Sequence, residues 1–102
     1  MSFKITLSEN AVDDMAKIRS YITYNLQNPD AALEQLERIF FAVEALKEFP
    51  KIHRVRKKDK KGNEIRVYPV DNYVIIYSIN EVERIVNVSH VLYGRRNMDS
   101  IV

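Results

Sequence analysis

The chain is expected to adopt an α+β fold in the order β-α-α-β-β-β, a helical hairpin packed on one face of a small, mostly antiparallel sheet. Three observations predict it. Two N-terminal stretches repeat apolar residues at spacings of three and four; a single Asn28-Pro29 break divides them; and the chain beyond Gly62 reads as short β-rich runs. An apolar stripe on a helix needs a partner surface, and a sheet with one apolar face supplies it.

The first strand spans Phe3 to Leu7, where Phe3, Ile5 and Leu7 alternate with Lys4 and Thr6 at the period of a half-buried strand. Ser8 offers an N-cap hydroxyl, and Glu9 sits in the first turn, where a negative charge suits the helix dipole. Ala11, Met15, Ile18, Ile22 and Leu26 then form one stripe on a helix running to about Gln27. Asn28 caps the second helix, and Pro29 takes its first position, where the missing N–H costs nothing. Ala32, Leu36, Ile39, Val43 and Leu46 make the second stripe, which Leu33, Phe40 and Phe49 are expected to widen. Pro50 disfavours helical geometry at Phe49 and ends the helix there.

After a basic connector, the Gly62-Asn63 turn launches a strand from Glu64 to Val70. Pro69 cannot donate to a ladder, which puts that strand on an edge or ends it there. Tyr73 to Ile79 is apolar on both faces and is expected at the centre of the sheet. A polar link from Asn80 to Glu83 leads to the last strand, Arg84 to Tyr93.

The 102 residues, 46% hydrophobic and 29% charged, suit one domain over 1–102. No run of eighteen apolar residues and no signal-peptide pattern occurs, so no membrane association is expected and the location is expected to be cytoplasmic. The absence of cysteine excludes disulfides and thiol catalysis, and His53 and His90 are too few for a zinc site, so neither metal nor cofactor is expected.

Charge is unevenly placed. Residues 51 to 61 hold seven basic side chains and Asp59, a net of +6 on a chain whose total is +2, which leaves −4 on the rest. Such a segment steers a polyanion to one edge of the fold, with Arg54, Arg56, Lys57, Lys58, Lys60 and Lys61 as contacts; the plain alternative is a solvated connector. At the end of the last strand, Tyr93, Arg95 and Arg96 place a phenol and two guanidiniums within four residues, a pairing suited to nucleic-acid chemistry.

Metal-free RNA cleavage needs a base for the 2′-hydroxyl, a cation for the charged phosphorane and an acid for the leaving oxygen. Arg66, Arg95 and Arg96 are the candidate cations, Tyr93 and His90 the candidate proton carriers, and Lys57 or Lys58 their partners from the connector. Each also has a structural role to weigh: Arg66 pairing with Glu64 or Asp71, Tyr93 capping the core, His90 hydrogen-bonded among valines, and Arg95 or Arg96 solvated. Without a bulge, strand alternation sets Tyr93 with Val91, Ser89 and Asn87, and His90 with Val86, Val88 and Leu92. The working centre requires Arg66 and Tyr93 to converge in a wet hollow opposite the helices.

The Asn28-Pro29 break with Ala31-Ala32, the Leu46 to Pro50 helix end, Arg66, the run NYVIIYSI at 72–79 and the closing VLYGRRN at 91–97 occur in one order across nearly the whole chain. In that order and spacing the chain resembles the RelE/ParE superfamily, toxins of bacterial type II toxin–antitoxin pairs. The resemblance implies a helical hairpin on a small sheet, a cognate antitoxin whose partly disordered segment wraps the toxin, and one of two targets. Some members cleave messenger RNA on the ribosome and others inhibit DNA gyrase; the fold alone does not choose. Lys57, Lys58, Arg66 and Tyr93 fall in regions matching the endonucleases, and the basic connector points the same way. The long second helix, the Phe49-Pro50 junction and LYGRR are more similar to the gyrase-directed branch. The expectation taken is ribosome-dependent mRNA cleavage, with gyrase inhibition as the alternative and a degenerate, non-catalytic antitoxin-binding domain as a third.

Overall fold

The computed structural model describes residues 2–94. Among these, β1 (Lys4–Leu7) leads into α1 (Glu9–Ser20), a π-helical turn at Tyr21–Asn25, α2 (Pro29–Ala45), β2 (Val55–Lys58), β3 (Glu64–Val70), β4 (Tyr73–Asn80) and β5 (Ile85–Tyr93). The sheet order is β1-β5-β4-β3-β2, with β1 and β5 parallel and all other pairs antiparallel. The fold is therefore the expected α+β arrangement with β4 at its centre, and with one strand more than the sequence suggested.

The extra strand, β2, lies inside the basic connector. Its residues Val55, Arg56, Lys57 and Lys58 include one apolar side chain and show no alternation. A short, lysine-rich edge strand is how sheets discourage edge-to-edge association, and it carries no burial signal because it buries almost nothing. β2 flanks only the start of β3, pairing Val55 with Arg66 and Lys58 with Glu64. Consequently β3 is internal at its start and an edge at its end, and Pro69 falls in the end part.

Both helix starts are built as the sequence indicates. Ser8 Oγ accepts from the Ala11 amide at 3.0 Å, and Asn28 Oδ1 accepts from the Ala31 amide at 3.0 Å. The first helix does not continue regularly to Gln27: the Leu26 amide reaches back five residues to the Tyr21 carbonyl, and Gln27 takes a positive φ of 52°.

Ala11, Met15, Ile18 and Ile22 from the first helical run, and Ala32, Ile39, Val43 and Leu46 from the second, are buried against Tyr73, Ile75, Tyr77, Val86, Val88 and Val91 of the sheet. A smaller cluster of Val74, Ile76 and Leu92, joined by Ile65 and Val67, lies on the sheet's other side. Leu26, Leu33, Phe40 and Phe49, expected to extend the helical stripes, are instead exposed. On α2, Leu33 and Phe40 each follow a buried residue, Ala32 and Ile39, and so point about 100° away from the buried row.

A bulge changes the phase of β5. Ile76 faces His90 and Tyr77 faces Val88, so Ser89 is the extra residue, and its hydroxyl donates to the Ile76 carbonyl at 3.1 Å. The phase shift puts Val91 on the same helix-facing side as Val86 and Val88, although three residues separate it from Val88. Tyr93 therefore shares a face with Val91, Val88 and Val86 and not with Asn87, while His90 goes with Leu92 and not with Val86 or Val88.

Candidate functional site

The basic segment is a built hairpin. Asp59 Oδ1 accepts from the amides of Lys61 and Asn63, both at 2.9 Å, and Asn63 Nδ2 donates to Asp59 Oδ2 at 3.2 Å. These hydrogen bonds, led by those from Asn63, hold the Asp59 carboxyl below its ordinary value. Gly62, at φ +86°, supplies the left-handed residue the turn requires. Arg54, Arg56, Lys57, Lys58, Lys60 and Lys61 all lie exposed along this ribbon, and a bulge between Val55 and Lys57 re-aims Arg56.

Arg66 anchors the approach to that hairpin. Its Nη1 donates to the carbonyls of Lys51 at 3.1 Å and His53 at 2.8 Å, and its Nη2 to Glu64 Oε1 at 3.2 Å. The side chain is only 12% exposed. Nearby, the Tyr77 hydroxyl donates to the Pro50 carbonyl at 2.6 Å, and burial pushes its pKa up to about 12. The His53 ring stacks on Tyr68 with centroids 3.6 Å apart; burial, then the neighbouring Arg66 charge, lowers its pKa. The segment after α2 is thus fastened to the sheet by three side chains, and Arg66 pairs with Glu64, while Asp71 takes Arg38 at 2.7 Å instead.

Of the residues expected to do chemistry, the three that are described, Arg66, Tyr93 and His90, do not come together. Arg66 stands opposite Tyr77 and Tyr93 opposite Tyr73, four residues apart along β4 and on different neighbouring strands, which separates their backbones by roughly 16 Å. Arg66 also lies on the helix-facing side, paired with Tyr77 of the main core, and not in a hollow opposite the helices. His90 lies on the other side of the sheet, opposite Ile76, with Nδ1 3.0 Å from Asp14 Oδ2. Arg95 and Arg96 lie outside the described residues. Convergence of the Arg66 guanidinium and the Tyr93 phenol is therefore corrected: β4 stands between them, and Nη1 of Arg66 is taken up by two carbonyl oxygens.

Tyr93 belongs to a different feature. Its ring meets Tyr73 edge-on at 5.4 Å, and both line a groove of about 740 Å³ with Tyr21, Leu26, Ala31 and Arg38. Tyr21, Leu26 and Tyr93 are more than half exposed there. Asp14, which the sequence reading passed over, sits at the same groove; it also accepts from the Val91 amide at 3.0 Å, covering the part of β5 that β1 does not reach. The available signal was an acid three residues after Ala11 and four before Ile18, at the border of a buried stripe. Among the described residues no three His, Asp or Glu side chains gather as metal ligands, and no helix is long and apolar enough to cross a membrane.

With the helical pair, the five-stranded sheet and the basic hairpin in place, comparison with known proteins identifies the class. The family model described as the ParE toxin of the type II toxin–antitoxin system parDE matches residues 5–98. The chain belongs to that family of toxins, within the RelE/ParE superfamily. Its fold is similar to that in the chromosomal ParDE toxin–antitoxin system of P. aeruginosa, with a TM-score of 0.74 at 14% identity over 92% of this chain and 98% of that one. It is also similar to a chain of the archaeal RelE–RelB complex of Pyrococcus horikoshii OT3, with a TM-score of 0.65 at 14% identity over 94% of this chain and 99% of that one. The RelBE2 toxin–antitoxin complex of Mycobacterium tuberculosis gives 0.61 at 16% identity over 91% and 99%. No curated protein sequence matches the chain.

Proposed function

We propose that this toxin arrests growth by binding DNA gyrase, without cleaving RNA, and that a cognate antitoxin holds it inactive in the cytoplasm. The observation that carries the reading is the placement of Arg66. Cleavage of a phosphodiester requires cation, base and acid around one phosphorus, and the arginine best placed by sequence is engaged with the Lys51 and His53 carbonyls. A toxin that works by occupying a target needs no such centre. The match to the ParE toxin model supports this reading.

The exposed basic hairpin favours a second reading, ribosome-dependent mRNA cleavage, since ribosome docking benefits from many phosphate contacts. Two assays run side by side decide. Purified chain added to gyrase is expected to abolish supercoiling or accumulate cleaved plasmid, while primer extension on messenger RNA after induction shows no new breaks at A-site codons. The reverse pattern would replace the gyrase reading with RNA cleavage.

The antitoxin has a surface to meet. Leu33, Phe40 and Phe41 stand exposed on α2, and the tyrosine-lined groove lies beside Tyr93. Two of the similar folds come from toxin–antitoxin complexes. Induction of the chain alone is expected to stop bacterial growth, and co-expression of the adjacent small gene product to restore it. Unimpaired growth at high soluble expression would point to the degenerate, non-catalytic domain.

A further inference from the structure

We infer that the β2–β3 ribbon binds the phosphate backbone of duplex DNA. Residues 54 to 64 hold six basic and two acidic side chains. Both acids are engaged inside the ribbon, Asp59 with the turn amides and Glu64 with Arg66, so the exposed charge along it is basic. Lys57, Lys58, Lys60 and Lys61 are all exposed, and the ribbon ends the sheet at the edge opposite β1. A two-stranded ribbon is narrow enough to enter a major groove about 12 Å wide, with lysines reaching phosphates on either side.

The composition of the ribbon selects among polyanions. Single-stranded nucleic acid is held by aromatic side chains on which bases stack, and residues 54 to 64 contain none. The nearest ring, His53, is already stacked on Tyr68. Duplex RNA presents a deep, narrow major groove closed to a ribbon. Lysine ammoniums are point charges with no planar fork to match a base edge, and the Asn63 amide is engaged with Asp59, so the binding that the lysines supply is independent of sequence and arises from counterion release. The organised turn matters energetically, because a preformed hairpin holds its charges in place before contact.

This inference goes beyond the choice of target, and its test needs no gyrase. Fluorescence anisotropy with a labelled mixed-sequence duplex, from 50 to 200 mM salt, is expected to give an affinity falling linearly on a log–log plot. K60Q/K61Q should flatten the slope by about 1.8 and weaken binding by on the order of 10- to 100-fold at 0.1 M salt. K57Q/K58Q should act similarly, and K4Q/K47Q, at the other side of the molecule, should leave binding unchanged. Thermal melting checks that each variant is folded. Salt-insensitive or absent binding, ribbon variants that bind as tightly as the unsubstituted chain, or tighter binding to single strands or duplex RNA would overturn the inference. So would a ribbon variant that loses antitoxin affinity while keeping its DNA affinity, since the surface would then belong to the antitoxin. A failure here leaves the supercoiling result untouched, and a failure there leaves this one.

Discussion

Arg66 shows how one side chain can be recruited for architecture where chemistry was expected. A guanidinium offers five donors in a rigid fork, and here it bridges two loop carbonyls and a carboxylate, which a lysine cannot reproduce. R66K keeps the charge and should still cost about 2 kcal/mol, read as a lowered melting temperature. A catalytic arginine would instead lose activity in R66K at unchanged stability. Y77F removes the donor to the Pro50 carbonyl from a fully buried position and should cost about 1 to 2 kcal/mol in denaturant unfolding. His53 makes the same loop sensitive to acid. Its pKa is lowered in the fold, so the unfolded chain binds the proton more readily. The His53 contribution to stability is present above the ordinary value of 6.5 and is lost as pH falls through the lower folded value. Melting between pH 7.5 and 5 should therefore show a decline that H53F, which keeps a ring on Tyr68, removes.

At the scale of elements, α1 does more than cover one face of the sheet. Beyond Leu7 and Val88 the parallel β1–β5 pairing stops, and the helix start takes over the exposed edge. Ser8 donates through its amide to the Val88 carbonyl and through its hydroxyl to the Ser89 carbonyl, and six residues later Asp14 accepts from Val91. D14A leaves the Val91 amide without that partner and should destabilise the fold by about 1 to 2 kcal/mol, with faster hydrogen exchange at that amide as the local readout. The hairpin is held in a comparable way by Asp59, whose depressed pKa makes its contribution present above the ordinary value of 3.8 and lost as pH falls below it. D59A should loosen the turn, seen as faster exchange at the Lys61 and Asn63 amides. Weaker DNA binding should follow while the core melts almost unchanged.

For the whole molecule, the mismatch between apolar helix surface and available sheet is decisive. Val12, Leu33, Phe40, Phe41 and Phe49 are all exposed, and Leu33, Phe40 and Phe41, seven and eight residues apart on α2, share one side of that helix, where the proposed antitoxin would dock. A partner that covers it binds only the folded chain, so at a free concentration a hundred times Kd it adds about 2.7 kcal/mol to stability. The chain co-purified with its proposed antitoxin should melt well above the chain alone, and L33S/F40S should abolish most of that difference. If the variant melts with the same increment, the antitoxin sits elsewhere.

Periodicity and punctuation by themselves determined the order of the main elements, both N-caps, the proline-started second helix and the central place of β4. All of these depend on contacts local in sequence or on whole rows of side chains, which leave repeats and spacings behind. The tertiary structure alone decided which rows the sheet buries, and hence that Leu33, Phe40 and Phe49 remain outside. It also decided the phase of β5, because one inserted residue at Ser89 exchanges the faces of everything after it. Most of all it decided the fate of Arg66 and Tyr93: whether two side chains from separate strands meet depends on strand order and register, and β4, the strand most legible in the sequence, is the one that keeps them apart.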